Sequence, residues 1–317
     1  MSNKILITGS SGFLGSNLQN LLHQYNYQIY AASRTNKIEN NNTNLYLNLE
    51  DTNSFDSILK NKSIVIHCAG IAHSDSVNEK DYYNINYWPT INLYKKCSKH
   101  NVKKFFFISS INVSVNNVSN NNTPINESHV SENYDYYTKY KILAEKKLIQ
   151  LSLNNSCDLI ILRPGLIYGP KVKGNFNLLI KLLNKNIPLP FGNCNNVRDM
   201  ISVYNFALII HKLIDKKKLN YQIYNISDGK RLEFLTFLKI IKDKLGKKNY
   251  LFFNFPKKFL KALFYILFKK KYYNRLYNSL IINNNRLKNE IDWETHYTID
   301  YGLKKTCDYY MKKNNDL

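Results

Sequence analysis

The stretch that decides the fold is Gly9-Ser10-Ser11-Gly12-Phe13-Leu14-Gly15, which follows an apolar run at residues 4–8 and opens a helical pattern over residues 13–24. The first glycines permit a tight turn and a close backbone approach, and the last lets the helix pack on the strand. The free N–H groups at the start of the helix then bind phosphates. A strand, a glycine turn and a helix in this order predict a dinucleotide site. We expect the cofactor to contact Gly9, Ser11, Gly12, Phe13, Leu14 and Gly15.

Short β-branched or aromatic runs alternate with longer helical patterns along the first two-thirds of the chain. Strands are predicted at residues 4–8, 28–32, 63–67, 103–109 and 158–163, and helices at 13–24, 81–100 and 137–153. Later helices are predicted at 205–217 and 233–245, around a strand at 221–226. Several strand runs are nearly continuous in apolar residues, as in strands buried on both faces. The predicted fold class is α/β, a Rossmann doubly wound parallel sheet with a smaller, mostly C-terminal substrate lobe.

The same pattern predicts how the chain is divided. Residues 1–170 are expected to form the cofactor domain, with a later contribution from about 200–227, and residues 171–317 mainly the substrate-binding lobe. The segment 115–133 is rich in Asn and Ser and is predicted to be an exposed loop. Two interpretations of this loop stay open, a tolerated insertion and a rim of the active site.

Composition narrows the class of protein. The chain has 317 residues, 44% of them hydrophobic, and a net charge of +22. The lysines are scattered and accompany an excess of Asn, Ile, Tyr and Phe, which AT-rich codons explain, so we predict no nucleic-acid partner. A positive field still attracts anionic substrates. Five cysteines without a CxxC pair indicate reduced thiols in the cytoplasm and no metal site.

Membrane contact is the second partner that the composition raises. The most apolar later stretch, residues 262–268, is too short to span a bilayer. The segment 257–278 combines Lys with Phe, Leu and Tyr, as in helices that lie on a membrane surface. We therefore predict no stable membrane insertion and leave peripheral contact open, with packing on the substrate lobe as the favoured interpretation.

The end of the second strand bears on the choice of cofactor. An acidic residue at this position binds the ribose 2′-hydroxyl of NAD, whereas this chain has Ser33 and Arg34. These two residues are suited to a 2′-phosphate, so the preferred cofactor is NADP and the alternative is NAD. Arg34 lying over the adenine or pointing to solvent is the competing interpretation. By topology alone, Asn48 and Leu49 are expected near the adenine, and Ala69 and Gly70 beside the cofactor.

A serine pair follows the fifth predicted strand, and a tyrosine and a lysine open the next predicted helix. Tyr137 and Lys141 lie four residues apart at the start of a helix and share a face. A nearby ammonium favours the phenolate, so we expect Lys141 and an oxidised nicotinamide together to lower the pKa of Tyr137 toward 7 and let it exchange a proton with a sugar oxygen. Ser110, after the fifth strand, is expected to bond the same oxygen. Ser109 is the alternative serine, and Tyr136 competes as the tyrosine but has no lysine four residues on.

These segments resemble the extended short-chain dehydrogenase/reductase family, which contains the nucleotide-sugar epimerases and dehydratases. The run from Tyr137 to Glu145 is similar to YxxSKxxAE, and the run from Arg163 to Pro170 to RPxxVYGP. Arg198-Asp199 resembles the pair whose arginine contacts the nucleotide diphosphate, and Asn86 lies at a structural position of the family's helix-start motif. The resemblance also implies that Pro164 lies at the cofactor and that the protein is a homodimer, formed through the helices 81–100 and 137–153.

Within that family, the chain is most similar to enzymes acting at C4 of UDP-N-acetylhexosamines. The resemblance implies a UDP-sugar substrate contacted by His73, Ser110, Asn112, Asn175 and Arg198. The favoured reaction is reduction of a 4-keto sugar nucleotide in surface polysaccharide biosynthesis, and the alternative is 4-epimerisation of UDP-glucose or UDP-N-acetylglucosamine. A non-catalytic dinucleotide sensor on the same fold is the rival from another class, which the intact Tyr137 and Lys141 disfavour. His73 as an ordinary loop residue and Arg198 as a surface ion-pair partner also stay open.

Overall fold

The core of the protein is a parallel β-sheet. The computed structural model describes residues 3–34, 43–72, 77–115, 123–132, 134–247, 249, 251–266 and 277–315. Within these residues seven parallel strands form one sheet in the order β3-β2-β1-β4-β5-β6-β9. The strands are β1 (Lys4–Thr8), β2 (Gln28–Ser33), β3 (Thr43–Tyr46), β4 (Ile64–His67), β5 (Lys104–Ile108), β6 (Asp158–Pro164) and β9 (Ile223–Ile226). The predicted α/β fold class is confirmed.

Helices cover both faces of this sheet, because its strands are apolar on both sides. On one face, α1 (Phe13–His23), α7 (Val203–Asp215) and α10 (Asn285–Ile291) bury residues such as Leu18, Phe206 and Leu287. On the other face, α2 (Phe55–Leu59), α4 (Trp88–Lys99) and α5 (Tyr136–Ser152) bury residues such as Phe55, Leu93 and Leu148.

The strand order reverses beside β1, and this reversal locates the site. The chain runs from β1 outward to β2 and β3, then crosses back to β4 on the other side of β1. Ligands of open α/β sheets bind at such a switch point, beyond the carboxyl ends of the strands. The glycine turn after β1 and the segment after β4 both lie at this edge.

A second core lies in the part of the chain predicted to form the substrate lobe. Two short parallel strands, β7 (Leu166–Tyr168) and β8 (Met200–Ser202), pair apart from the main sheet. They adjoin α6 (Gly174–Asn184), α8 (Phe234–Lys244) and α11 (Ile299–Asn315). Tyr168, Phe176, Phe237 and Leu303 are buried together there. After this excursion β9 returns to the main sheet beside β6.

The segment predicted as one helix over 81–100 is interrupted, so that prediction was wrong in detail. A short helix α3 (Glu79–Tyr82) passes into a π-helical turn, Tyr83–Tyr87, before α4 begins. Pro89 lies in the first turn of α4. Proline has no N–H to donate to the preceding turn, so the regular α-helical bonding pattern is broken there.

Two surface segments bear on the predictions about partners. The helix α9 (Lys257–Ile266) exposes Phe259 and Ile266 to 69% and 72% and buries Leu260. Among the described residues, no helix has the length and apolar composition needed to cross a bilayer. Peripheral contact through α9 stays a prediction. In the loop 115–133, residues 116–122 and 133 lie outside the described part of the chain. Ile125, in the described part of this loop, forms a β-bridge with Ile282.

Candidate active site

The glycine turn accepts only glycine at two of its positions. Gly9 has a φ of +68°, and a Cβ atom there would lie 2.7 Å from the backbone of Ala69. A Cβ atom on Gly15 would lie 2.3 Å from the carbonyl oxygen of Gly9. The turn is closed by the Gly12 amide, which donates to the Gly9 carbonyl at 3.0 Å. Strand β1, the turn and the segment after β4 are therefore pressed into direct backbone contact.

The N-terminus of α1 is suited to a diphosphate. Its N-cap, Gly12, is extended, no side chain of the described residues caps the helix, and its first turn contains no acidic residue. The predicted contacts Ser11, Phe13 and Leu14 flank this helix start. Backbone N–H groups and the helix dipole at such an end favour an anion. These residues fit the pyrophosphate of a nicotinamide dinucleotide.

The segment after β4 is fixed by one amide side chain. Asn86 Nδ2 donates to the Ile71 carbonyl at 2.9 Å, and the Ile71 amide donates back to Asn86 Oδ1 at 2.7 Å. A Cβ atom on Gly70 would lie 2.9 Å from the same Oδ1. Ala69 and Gly70 are thus held against the glycine turn. The predicted substrate residue His73 lies outside the described residues.

The end of β2 presents a buried serine and an exposed arginine. Ser33 is 8% exposed, and its carbonyl accepts from the Leu47 amide at 2.9 Å. Arg34 is exposed to solvent. The nearby Asn48 uses Oδ1 to accept from the Glu50 amide at 3.2 Å. Leu49 is buried on the α4 side of the sheet, so its side chain serves the core.

The proposed catalytic residues are brought together at the carboxyl end of β5. Ser110 and Tyr137 share a side-chain hydrogen bond. Ser110 Oγ also accepts from the Asn112 amide at 3.2 Å, which fixes the serine at the start of a 3₁₀ turn. Lys141 lies one turn after Tyr137 in α5, with Nζ 6.0 Å from the centre of the tyrosine ring. Its ammonium donates to the Ile108 carbonyl at 2.7 Å.

Burial dominates the pKa of Tyr137 in the surroundings that the protein itself supplies. Although the residue is partly exposed, desolvation raises the pKa of its hydroxyl to about 12, and the hydrogen bond with Ser110 only partly opposes this. Lys141 is not among the groups that lower this pKa in the surroundings that the protein itself supplies. The physical reason is that the ammonium is directed at the Ile108 carbonyl and lies 6.0 Å from the ring. The lowering of this pKa by Lys141 together with an oxidised nicotinamide stays a prediction.

The pKa of Lys141 is also shifted from its ordinary value. The residue is 7% exposed, and burial lowers the pKa of its ammonium to about 8, against the opposing effects of Glu145 and Cys68. A buried ammonium loses its proton more readily because the charged form is poorly solvated. With a pKa of about 12 Tyr137 is protonated at neutral pH, and with a pKa of about 8 Lys141 changes charge near pH 8.

The two adjacent serines have different roles. Ser109 is buried, and its hydroxyl donates to the carboxylate of Glu145. Glu145 also accepts from Arg163, whose Nε lies 3.1 Å from each carboxylate oxygen. Ser109 is thereby committed to a buried ion pair, and Ser110 is the serine that reaches Tyr137.

This buried pair was missed as part of the site. Arg163 Nη1 also donates to Ser114 Oγ and to the Glu127 carbonyl, both at 2.8 Å. The pair thus ties α5 and β6 to both ends of the segment that contains Ser110. The sequence contains both residues of the pair at motif positions, Glu145 in the run that begins at Tyr137 and Arg163 in the run that ends at Pro170. Their contact is visible only in the three-dimensional structure.

The remaining predicted residues lie on the main sheet and on the later segments of the chain. Pro164 is buried at the end of β6, and Asn112 lies in the 3₁₀ turn after Ser110. Asn175 is exposed in the first turn of α6. Arg198 Nη1 donates to the Asn278 carbonyl at 3.0 Å. The structure therefore brings Ser110, Tyr137 and Lys141 together and places Asn175 and Arg198 on separate lobe segments.

Metal chemistry has no evident ligand set in the described part of the chain. Within it, no group of three or more His, Cys, Asp or Glu side chains is placed to hold a metal ion. The five cysteines are free thiols. The buried His67 is held between Thr8 and Thr90, and burial lowers the pKa of its imidazole to about 3. It is a neutral structural residue.

A doubly wound parallel sheet, a glycine turn at its switch point and a Ser–Tyr–Lys set together define an enzyme of the short-chain dehydrogenase/reductase type. The chain belongs to the NAD dependent epimerase/dehydratase family, whose model matches residues 5–227. This membership confirms the resemblance found in the sequence and sets aside the non-catalytic sensor.

Individual relatives agree with this family. The chain is 32% identical over 327 residues to the UDP-glucose 4-epimerase of Vibrio cholerae, with 99% of this chain and 98% of the relative covered. The structure of UDP-N-acetylglucosamine 4-epimerase from Bacillus cereus superposes with a TM-score of 0.79 at 18% identity, covering 98% of this chain and 97% of that one. UDP-glucuronic acid 4-epimerase from Bacillus cereus, solved in complex with NAD, gives a TM-score of 0.77 at 19% identity, with 98% and 99% covered. At such identities the superpositions show a shared fold.

Proposed function

We propose that this enzyme transfers a hydride at C4 of a UDP-sugar, acting as a reductase of a UDP-4-keto-6-deoxy-N-acetylhexosamine in surface polysaccharide biosynthesis. The observation that carries the proposal is the hydrogen-bonded Ser110 and Tyr137 with Lys141 beside them, at the sheet edge that also contains the glycine turn. A nicotinamide dinucleotide bound at that turn would supply or accept the hydride. The protein has to supply the proton and hold the sugar oxygen.

The protonation state of Tyr137 supports the reductive direction. A phenol with a pKa of about 12 is protonated at neutral pH, and the protonated form is the one that donates to the oxygen at C4 as the ketone becomes an alcohol. Ser110 would donate a hydrogen bond to the same oxygen. The positive charge of Lys141 would then stabilise the tyrosinate left behind.

The cofactor proposed for this reaction is NADP. The family is NAD-dependent by its description, but β2 ends at Ser33 and is followed by Arg34, with no acid at this position. Hydroxyl and guanidinium groups suit a phosphate, whereas a carboxylate at this position suits a ribose hydroxyl. For the substrate we propose Arg198 at the diphosphate, because a guanidinium matches phosphate oxygens in a bidentate geometry. Asn112 and Asn175 are proposed as further substrate contacts.

A 4-epimerase is the second candidate. The full-length identity of 32% to a UDP-glucose 4-epimerase favours it. An epimerase would use the same Ser110, Tyr137 and Lys141 to remove a proton from the C4 hydroxyl and later return one. It differs from a reductase in recycling its own cofactor, and this difference can be measured.

The deciding experiment identifies the cofactor that the protein retains. The purified protein is denatured, and released dinucleotide is identified and quantified by mass spectrometry. Stoichiometric NAD supports the epimerase and contradicts the reductase. No retained dinucleotide, binding of added NADPH, and NADPH oxidation with a UDP-4-keto-6-deoxy-N-acetylhexosamine support the reductase.

The perturbed ammonium of Lys141 predicts the pH dependence of reduction. Lys141 is charged below pH 8 and neutral above it, because burial lowers its pKa to about 8. We expect kcat/KM to fall as the pH rises through about 8, while Tyr137 stays protonated up to about 12. The measurement is kcat/KM from pH 6 to 10. In Lys141→Arg, whose guanidinium stays charged, the fall near pH 8 should be absent, and an unchanged fall would contradict the assignment.

We also propose a homodimer formed through α4 and α5. These helices leave Trp88, Tyr136 and Leu143 exposed to 45%, 49% and 38%. Exposed aromatic and aliphatic side chains on neighbouring helices favour a self-complementary interface. Light scattering after size exclusion should give twice the chain mass of 37.3 kDa. Replacing Trp88 and Leu143 with Glu should yield monomers, and a wild-type monomer at micromolar concentration would contradict the proposal.

A further inference from the structure

A cleft of about 360 Å³ lies beside the glycine turn and extends toward the C-terminal helix. Its lining joins the turn and the end of β2 to α6 and α11, and includes Ser11, Ser33, Asn44, Lys171, Lys173 and Lys313. Ser11 and Lys313 are about 300 positions apart in the chain. The cleft is therefore formed by the meeting of the cofactor-binding edge and the substrate lobe.

The cleft is suited to an anion. Three of the described residues that line it are lysines and none is an aspartate or glutamate. Serine, threonine and tyrosine hydroxyls, which can donate hydrogen bonds, form much of the remaining wall. The N-terminus of α1 opens at the same place and adds the partial positive charge of a helix end.

The loop that carries Lys171 is anchored to the glycine turn's own helix. Asn17 Nδ2 donates at 2.8 Å both to the Pro170 carbonyl and to the Phe13 carbonyl. The Val172 amide donates to the Gly169 carbonyl at 3.2 Å. Lys171 follows with a φ of +66°, so the backbone turns sharply at this residue. Lys171 and Lys173 therefore belong to a segment whose backbone is fixed by hydrogen bonds.

Lys313 is presented by a helix that is itself fixed in the lobe. Leu303 and Cys307, both on α11, are fully buried in the lobe core. Thr306, Tyr310 and Lys313 follow at spacings of four and three residues and line the cleft, so they occupy one face of the helix. Lys312 is exposed and is not part of the cleft wall.

We propose that this cleft binds the 2′-phosphate of NADP(H), and that Lys313 of the C-terminal helix is a residue that selects NADP(H) over NAD(H). The inference rests on the dinucleotide-binding part of the proposed function. The ribose of a dinucleotide lies at the end of the second strand, where Ser33 forms one side of the cleft. A phosphate monoester at that ribose would face the lysines.

The test is direct binding of dinucleotides to two matched variants, Lys313→Gln and Lys312→Gln. Dissociation constants for NADPH and NADH are measured by nicotinamide fluorescence, and those for 2′,5′-ADP and 5′-ADP by calorimetry. Lys313→Gln should weaken NADPH and 2′,5′-ADP roughly tenfold, because one charge-assisted contact is lost. It should leave NADH and 5′-ADP within about twofold of wild type, and Lys312→Gln should leave all four within that range.

The outcomes separate this inference from the C4 chemistry. Equal binding of NADPH and NADH by the wild type, or equal loss of both in Lys313→Gln, would overturn the 2′-phosphate site, whatever sugar the enzyme uses. Selective binding of 2′,5′-ADP together with no turnover of any UDP-sugar would support the site and contradict the proposed reaction. Thermal unfolding of both variants at the wild-type midpoint verifies that the fold is retained.

Discussion

Replacing Tyr137 with phenylalanine is expected to lower turnover by roughly 10²-fold or more, while dinucleotide affinity and the midpoint of thermal unfolding stay unchanged. The substitution removes only the hydroxyl, which is the group bonded to Ser110. The ring contact with Tyr82, at a centroid distance of 6.3 Å, can persist with phenylalanine. The loss should therefore appear in kcat and kcat/KM rather than in stability.

The neighbouring tyrosine provides the control for this experiment. Tyr136 is 49% exposed and begins α5 immediately before Tyr137. Tyr136→Phe should keep turnover within about twofold, because it removes only an exposed hydroxyl and retains the ring at the proposed dimer interface. Near-normal turnover in Tyr137→Phe, or an equal loss in both variants, would refute the assignment of Tyr137 as the proton donor.

Replacing Arg163 with leucine is expected to be the most damaging substitution for stability. Arg163 and Glu145 are each about 3% exposed as side chains. Without the guanidinium, the Glu145 carboxylate is left buried and uncompensated, which costs about 3–5 kcal/mol of unfolding free energy. Ser114 and the Glu127 carbonyl lose a donor as well. Urea unfolding followed by circular dichroism measures the loss.

A surface ion pair and a double variant provide the comparison for Arg163. Lys244 and Asp300 approach to 2.6 Å but are 24% and 61% exposed, so Lys244→Met should cost less than about 1 kcal/mol. The double variant Glu145→Gln, Arg163→Leu should lose less than the sum of the two single losses, because no buried charge is then left unpaired. A loss in Arg163→Leu no larger than in Lys244→Met would contradict the importance of the buried pair.

The same buried pair explains how the site is kept in place. Glu145 and Arg163 connect α5 and β6 with Ser109 and Ser114, which flank Ser110 on either side. We therefore expect the Arg163→Leu variant to lose activity in proportion to the displacement of Ser110 even where it stays folded. Turnover measured below the unfolding transition would reveal this effect.

Much of the fold was predictable because its signals are local. The strands predicted at residues 4–8 and 158–163 agree with β1 and β6 to within one residue, since a strand buried on both faces needs a continuous apolar run. The glycine turn was recognisable from the spacing of its glycines. The structure gives the reason for this spacing, because backbone neighbours of Gly9 and Gly15 exclude any Cβ atom. The interruption of the helix before α4 was foreseeable in principle, because Pro89 is visible in the sequence.

The pKa values and the choice between adjacent serines were not predictable in this way. A sequence shows that Lys141 follows Tyr137 by one helical turn, but not that its ammonium is directed at the Ile108 carbonyl. Nor does it show which of Ser109 and Ser110 faces the tyrosine. Both depend on side-chain direction and desolvation, which arise only when several elements pack together.

By itself, then, the sequence determined the main strands and helices of the parallel sheet, the glycine turn, and the spacing of Tyr137 and Lys141, because each depends on backbone conformations and residue types within a few positions of one another. Only the tertiary structure decided that Tyr137 is protonated, that Glu145 and Arg163 are paired, and that Lys313 faces the same cleft as Ser11. These features join residues far apart in the chain, and their energies depend on burial and distance, which no local pattern specifies.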